Sequence, residues 1–572
     1  MSRSRPRLSS LPCAWAVVLA LVMLGPALGP GYVLSYDMVW VPHLAMRSDF
    51  LGLGSALPRA VPSDAVVAAL GWVVPQVLLQ KVVLVGPLLA AAIGMMRLVG
   101  PSLVARLVVV TLSVWNPFTV ERLAIGHWTV LLGYGVLPWL VLAGLRARRT
   151  GSVPLGTLLL VAVGSLSASA GLVSAAALLV SGAAVRTRAD IARTLRLLAV
   201  VVAANAPWLV AGALHAGAAE RAGGTRVFAL HGEGSLPAPL AALSLGGIWN
   251  TQVVPDSRQT FLAWLLLLLL AGLAALGARV WWVRAGRDLG VRLLVLWGVG
   301  SGLACLTWLA PDLVAWVAAH LPGGGLLRDG SRVLGLCLPV FAGVPAIGAE
   351  VLARRLGGRD RAVRALVAVA CTVLPVALLY DAGWGIGGAL RPTHFPASWA
   401  EARQRVTGVP GDVLVLPFTA YRAPPWNRGR PVLDPLGRYL EPNYLMSDVL
   451  VVDGRATSQD DPRAARAARA LGLPTPRARA TALRALGVRW VAAELDAGVR
   501  PRAVEGRTIL DAGALRVQRL RGAVAPLPVW TGGQLGALAL AWAAFVSCVV
   551  AGLVGAGRNA FAGIARRRPR LP

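Results

Sequence analysis

FLAWLLLLLLAGLAALG, residues Phe261–Gly277, carries no charged side chain and lies between Arg258 and Arg279. A helix rises about 1.5 Å per residue, so this stretch alone nearly crosses a hydrocarbon layer of about 30 Å. Residues 11–31 repeat the pattern near the N-terminus. Apolar segments recur along most of the chain and give about twelve expected spans. They lie near residues 11–31, 77–97, 102–117, 128–145, 153–170, 171–186, 194–214, 259–278, 292–310, 332–353, 364–381 and 531–554. The expected fold class is a polytopic α-helical membrane protein.

Composition agrees. Of 572 residues, 56% are hydrophobic and only 14% charged, where a soluble chain carries about a quarter charged residues. The net charge of +30 is dispersed in short Arg clusters between apolar segments. A nucleic-acid partner needs a basic face, so none is expected, and the lipid bilayer is the expected surround. Arg outnumbers Lys by 55 to 1, a pattern of GC-rich coding that says little about chemistry. The five cysteines form no CxxC pair and read as small buried apolar residues. Arg3, Arg5 and Arg7 precede the first apolar run like the start of a signal peptide. With many spans following, an uncleaved first helix is expected.

The remaining Arg clusters orient the spans. Arg146/Arg148/Arg149, Arg186/Arg188/Arg193/Arg196, Arg279/Arg284/Arg287, Arg354/Arg355/Arg359/Arg361 and Arg566/Arg567/Arg568/Arg570 fall on the side of Arg3. By the positive-inside rule that side is cytoplasmic, and both termini with it. The expected division is a membrane domain over 1–381, an extracytoplasmic α/β domain over 382–528, and a final span with a basic cytoplasmic tail over 529–572. Outer loops are expected at 32–76, 116–127, 215–258 and 311–331. The outer domain holds 21 Arg and 12 acidic residues between 391 and 521. Val413–Phe418, Arg489–Glu494 and Thr508–Arg519 read as strands, the last with a turn at Asp511-Ala-Gly. Ala464–Leu471 and Ala478–Leu486 read as helices. Tyr421, Trp426 and Trp490 offer aromatic faces to a sugar, although Trp490, inside an apolar strand, fits a core position better.

Loops carry the candidate chemistry. Asp37 stands in YVLSYDMVW (Tyr32–Trp40), among apolar and aromatic neighbours with no capping pattern. A carboxylate at a bilayer edge is costly unless paired, hydrated or used, so Asp37 is read as functional. His43, Arg47, Asp49, Arg59 and Asp64 share its loop, with Ser63 and Asp64 reading as a helix start. The next outer turn, WNPFTVERLAIGHW (Trp115–Trp128), places Glu121, Arg122 and His127 between two apolar helices. They serve either a site or an interfacial belt with the nearby tryptophans. Lys81, the lone lysine, either snorkels or contacts a lipid phosphate. Arg328 and Arg332 flank Asp329 after Gly323-Gly-Gly and either grip a phosphate or pair with that carboxylate. No P-loop, GxSxG, HExxH or dinucleotide fingerprint is present.

An acidic residue just after the first span, a second acidic outer turn, about a dozen spans and a C-terminal outer domain resemble the GT-C class of integral-membrane glycosyltransferases. The words SYDMVWVP (Ser35–Pro42), PRAVPSD (Pro58–Asp64) and WNPFTVERLAIGHW are similar to those of actinobacterial multi-span proteins related to that class. The resemblance implies a polyprenyl-phosphate sugar donor, a cell-envelope glycan or lipid acceptor, and catalytic roles for Asp37 and Glu121. Lys81, Arg122, Arg328 and Arg332 would then contact the donor phosphate, with His43, Arg59 and His127 in support. No cofactor is expected. The first loop lacks a DxD or adjacent Asp-Glu pair, which leaves a divalent metal open. A transporter or flippase for an envelope lipid or glycan, or a non-catalytic scaffold, is the alternative, although no internal repeat is visible.

Overall fold

The computed structural model describes residues 6–216, 225–321, 323–452, 455–456, 461–527 and 529–565. Arg3, Arg5 and the Arg566–Arg570 cluster lie outside the described residues, as does part of the expected 215–258 loop. Among those described, nine helices are long and apolar enough to cross a membrane. All twelve expected spans fall on helix, but not one to one. Gly156–Gly164 has only 9 residues, too short to cross, and Ala168–Gly182 has 15. The pair packs as a short hairpin turning at Ser165–Ser167. Conversely, Leu262–Leu309 forms one 48-residue helix that breaks at Gly286 (φ 71°). Its two arms correspond to two expected spans.

Contacts sort the helix ends into two faces. At one, Arg148 pairs with Asp288 (3.2 Å), and Glu350 joins Arg284 (2.7 Å) and Arg354 (2.6 Å). These are the clusters read as cytoplasmic. At the other, Arg258 meets Glu233, the Leu230 amide reaches Thr307 Oγ1, and the C-terminal α/β domain, expected at the outer side and called the outer domain below, sits on the loops. Both ends of the broken helix therefore lie on the second face.

The outer domain is built on a five-stranded sheet. Its strands are β1 (Asp412–Leu416), β2 (Tyr444–Leu445), β3 (Val488–Glu494), β4 (Arg507–Ala512) and β5 (Leu515–Arg519), in the order β4-β5-β3-β1-β2. β1 runs parallel to β2 and β3, and β5 antiparallel to β3 and β4. Alternation along the strands supplies two cores. Leu414, Leu416, Val491 and Ala493 pack under helices Pro462–Leu471 and Pro476–Arg484. Val413, Val415, Trp490 and Val517 face the other way, joining Trp399 and the main core. Covered on both faces, β1 is buried throughout. Trp490 is thus a core residue, as its strand setting implied. The expected Ser63 cap does not form: Ser63 is the first residue of helix Ser63–Leu70, and its hydroxyl turns back to the Ala60 carbonyl (3.0 Å).

Candidate functional site

Three parts of the chain hold Asp37. Gln80 brackets Val33 with two hydrogen bonds (3.0 and 2.7 Å), fixing the first outer loop as it leaves the helices. The Asp37 amide then donates to the Ile125 carbonyl (3.0 Å), tying the loop to the second outer turn. Gly126 makes that approach possible: at φ 85° its position would put a Cβ 2.2 Å from the Met38 nitrogen. The outer domain closes the third side. Tyr36 exchanges backbone bonds with Pro431 and Leu433 (2.7 and 2.9 Å), and Arg430 reaches Ser35 Oγ (3.0 Å) and the Ala124 carbonyl (3.1 Å).

Both oxygens of the Asp37 carboxylate are engaged. The Tyr421 hydroxyl donates to Oδ1, and His127 Nε2 lies 3.1 Å from Oδ2. Arg122 sits 3.1 Å from the other ring nitrogen, Nδ1. A guanidinium only donates, so Nδ1 carries the lone pair and Nε2–H points at Asp37. Behind the ring the network continues. Arg122 reaches Ser331 (2.7 Å), Ser331 donates to Asp329 (2.6 Å), and Asp329 accepts from Arg332 (2.8 Å) and Trp249 (3.1 Å). Arg332 also comes within 3.3 Å of His127 Nε2, where it acts as a neighbouring charge and not as a hydrogen-bond donor, because that nitrogen carries the proton given to Asp37.

These contacts set the protonation states. Burial, with Arg332 beside it, pushes His127 down to about 4, so the imidazole is neutral at pH 7. Burial would raise Asp37, but the bonds from His127 and Tyr421 and the charge of Arg332 outweigh it and hold the carboxyl below its usual range. Burial likewise opposes ionisation of Asp329, yet Arg332 and Arg122 draw it down to about 2. The Tyr421 phenol is held well above its ordinary value by burial and by Asp37, and remains a donor. Its neighbour Arg422 is locked by buried Glu494 and Asp434, and the Tyr421–Arg422 strand pairs with Val432–Leu433. A rigid outer-domain element therefore presents Tyr421 to the membrane domain.

Asp37 opens into a cavity of about 2090 Å³ bounded by helix ends, the first outer loop and the outer domain. Its side chain is 38% exposed there, against 5% for His127 behind it. Arg59, Arg328 and Arg332 line the same cavity, Arg328 lying over the Phe228 ring (4.6 Å). The other expected residues lie elsewhere. Glu121 is 1% exposed and faces Glu233 and Arg258, away from the cavity, which its burial in helix Pro117–Ile125 imposes. Lys81 donates to the Ala27 and Gly31 carbonyls (2.8 and 3.0 Å), neither snorkelling outward nor meeting the cavity. Arg122 is fully buried and acts on the site only through His127 and Ser331. His43 is exposed off the cavity, its carbonyl holding Arg403. Asp329, which the sequence offered as one of two alternative partners for its arginines, pairs with Arg332 and is joined through Ser331 to Arg122. Trp426 packs against Phe395 and Trp399 and presents no free sugar face. Among the described residues, no group of three or more His, Cys, Asp or Glu converges as metal ligands do.

No family model and no curated protein matches the chain. Among solved structures it is similar to the arabinofuranosyltransferase AftD from Mycobacteria, with a TM-score of 0.53 and 16% identity. That match covers 91% of this chain and 40% of AftD. A mutant form of AftD gives a TM-score of 0.51 at 16% identity over 92% and 42% of the two chains. The Archaeoglobus fulgidus oligosaccharyltransferase reaches a TM-score of 0.41 at 11% identity, over 86% and 70%. The chain therefore spans less than half the length of AftD while sharing its architecture. The likeness is one of fold: the chain shares the architecture of part of a membrane arabinofuranosyltransferase.

Proposed function

We propose that the chain is a membrane glycosyltransferase that moves a sugar from a polyprenyl-phosphate donor to a cell-envelope glycan or lipid acceptor at the outer face. The observation that carries this reading is Asp37, an ionised carboxylate held by donors on both oxygens at the wall of a large cavity that Arg59, Arg328 and Arg332 also line. A carboxylate has about four lone-pair sites, so two remain for an incoming hydroxyl. In the proposed step Asp37 accepts the acceptor's proton as general base. The freed oxygen attacks the anomeric carbon, and the bond from that carbon to the phosphate oxygen breaks. The electron pair leaves with the phosphate, whose growing charge the arginines offset. One displacement inverts the anomeric centre, and no nucleotide is consumed.

His127 and Tyr421 are positioning residues in this scheme: they orient the carboxylate and keep it ionised. The site's place, where helix ends meet the outer domain, suits a donor whose lipid lies in the bilayer. The test is transfer of radiolabelled sugar from a panel of polyprenyl-phosphate donors in membranes, with wild type and Asp37→Asn at matched expression. Transfer that disappears in the variant supports the reading. Equal transfer by a folded Asp37→Asn protein removes Asp37 as the base, and no transfer by wild type would favour transport or scaffolding.

A further inference from the structure

The outer domain carries a row of cations that the Asp37 network does not use. It follows helices Pro462–Leu471 and Pro476–Arg484. Arg463, at the start of the first, donates to the Leu486 carbonyl just past the end of the second (2.9 and 2.6 Å), so the pair runs antiparallel. These near ends are tied to the segment that leads into the last span: the Ala525 amide donates to the Arg484 carbonyl (3.0 Å), and Trp530 to that of Leu53 (3.0 Å). The far ends, at Leu471 and Pro476, stand about 15 Å away, the length of a 10-residue helix.

Six arginines mark the path outward. Arg466 lines the Asp37 cavity, and Arg469, three residues on, is its neighbour on the helix face. At the far corner Arg502 donates to the Leu471 carbonyl (3.4 Å), and Arg479 clasps those of Leu473 and Ala503 (both 2.8 Å). Arg477 and Arg500 flank that clasp in sequence. All but Arg479 are exposed, and none of the six pairs with a carboxylate among the described residues. Glu494 and Asp496, the acids between them in sequence, turn to Arg422 instead. Glu505 reaches the corner through its amide, on the Pro476 carbonyl (3.2 Å), and pairs with none of them. Carbonyls hold Arg479 and Arg502 in place without cancelling their charge. GC-rich coding explains arginine in place of lysine, but not arginines left without acids where Arg422, Arg438 and Arg463 of the same domain are each paired.

We propose that this row is a docking track for a linear polyanion, a polymer bearing phosphate or carboxylate groups along its length, with one end of the track at the cavity. The track stands apart from the glycosyltransferase reading and requires no transfer. Guanidinium forks take oxyanions through paired N–H donors, and unpaired cations in a row concentrate an anionic chain at the surface. Shape favours a chain over a globular partner. The cations follow one helical hairpin, whereas a stable protein interface covers about 800 Å² a side around an apolar centre. Exposed Leu473 and Val499 supply little of such a centre. Position weighs against a lipid surface, because the corner lies at the helix ends opposite those tied to the last span.

The test uses the full chain in nanodiscs of neutral phosphatidylcholine, with labelled polyphosphate and polygalacturonate as probes and dextran as the uncharged control. Binding is read by fluorescence anisotropy across a salt series. At least one polyanion should bind, dextran should not, and salt should weaken the binding by screening. The triple variant Arg466→Gln/Arg469→Gln/Arg500→Gln removes cations that make no bond within the described residues, so its melting curve should match wild type. Its binding should fall about thirtyfold, or about threefold for each exposed ion pair lost. A matched triple at the opposite face, Arg186→Gln/Arg355→Gln/Arg359→Gln, lowers net charge equally and should bind within about twofold of wild type. Asp37→Asn should bind as wild type does, whatever its transfer activity, which separates the track from the catalytic reading. Absent polyanion binding, unchanged binding in the first triple, or equal loss in both triples overturns the track. Arginine-dependent capture of phosphatidylglycerol vesicles without polyanion binding also overturns it and assigns the corner to a membrane surface. Equal affinity for orthophosphate and long polyphosphate does so as well, since a row of cations gains from a chain that engages several at once.

Discussion

Asp37 and Glu121 are both carboxylates in outer segments next to apolar helices, and the structure treats them in opposite ways. Asp37 is 38% exposed at the cavity wall, with a neutral imidazole and a phenol donating to it. Glu121 is 1% exposed beside a second carboxylate, Glu233, whose partner Arg258 also bonds Ser244 (2.8 Å). The first cluster leaves lone pairs and space for a reactant. The second turns its polar groups inward, away from the cavity. A costly charge in a membrane protein thus marks either a reactive site or an internal brace, and access to solvent separates the two.

The sharpest way to break this comparison is to neutralise Asp37. Asp37→Asn keeps size and shape and should lower initial transfer rates by about 10²–10⁴-fold, the range for a lost general base, with an unchanged melting curve. The brace should fail in the other currency. Arg258→Ala leaves buried Glu233 without its cation and should cost about 3–5 kcal/mol of stability, read as a loss of the folded form in thermal melts. Arg332→Gln tests the cavity charge: transfer should fall about 10²-fold, with little change in the melt, since Asp329 keeps Ser331 and Trp249. Tyr421→Phe is the mildest. It removes one donor from Asp37 and should slow transfer about tenfold at neutral pH.

The Tyr421 variant also carries a sign. As the proposed base Asp37 would work only when ionised, so activity is expected to fall as pH drops through its depressed pKa. Losing the phenol donor raises that pKa. The acid limb of the pH–rate profile should therefore move to higher pH in Tyr421→Phe, a shift that a purely structural defect would not produce.

Asp37 was legible in the sequence because an acidic residue amid Leu34, Tyr36, Met38 and Trp40 has no capping or surface role to explain it. His127, Arg59, Arg328 and Arg332 were legible as candidate types in the expected outer segments, but not as groups brought together at one cavity. Glu121 looked like Asp37 locally. What separates them is a contact with Glu233, 112 residues on, and Arg258, which no spacing rule connects to the second turn. Lys81 ends on the Ala27 and Gly31 carbonyls, part of an irregular turn after the first helix whose path the apolar pattern does not specify. Tyr421 meets Asp37 across 384 residues, so only the folded outer domain reveals it. The domain itself read well: β1, β3 and the β4–β5 hairpin follow their alternation, and both Ala/Arg helices appear. Only β2, two residues long at the sheet edge, has too little pattern to see. Among the spans, length misled at 153–186, where the turn at Ser165–Ser167 divides apolar sequence into two short helices.

The most direct test sets Asp37→Asn beside Glu121→Gln in the same membranes, with the same labelled polyprenyl-phosphate donors and matched amounts of folded protein. The account predicts that transfer is lost in Asp37→Asn and kept within about threefold of wild type in Glu121→Gln, the usual scale of context effects. Loss in Glu121→Gln with activity retained in Asp37→Asn would contradict it and move the chemistry to the buried cluster.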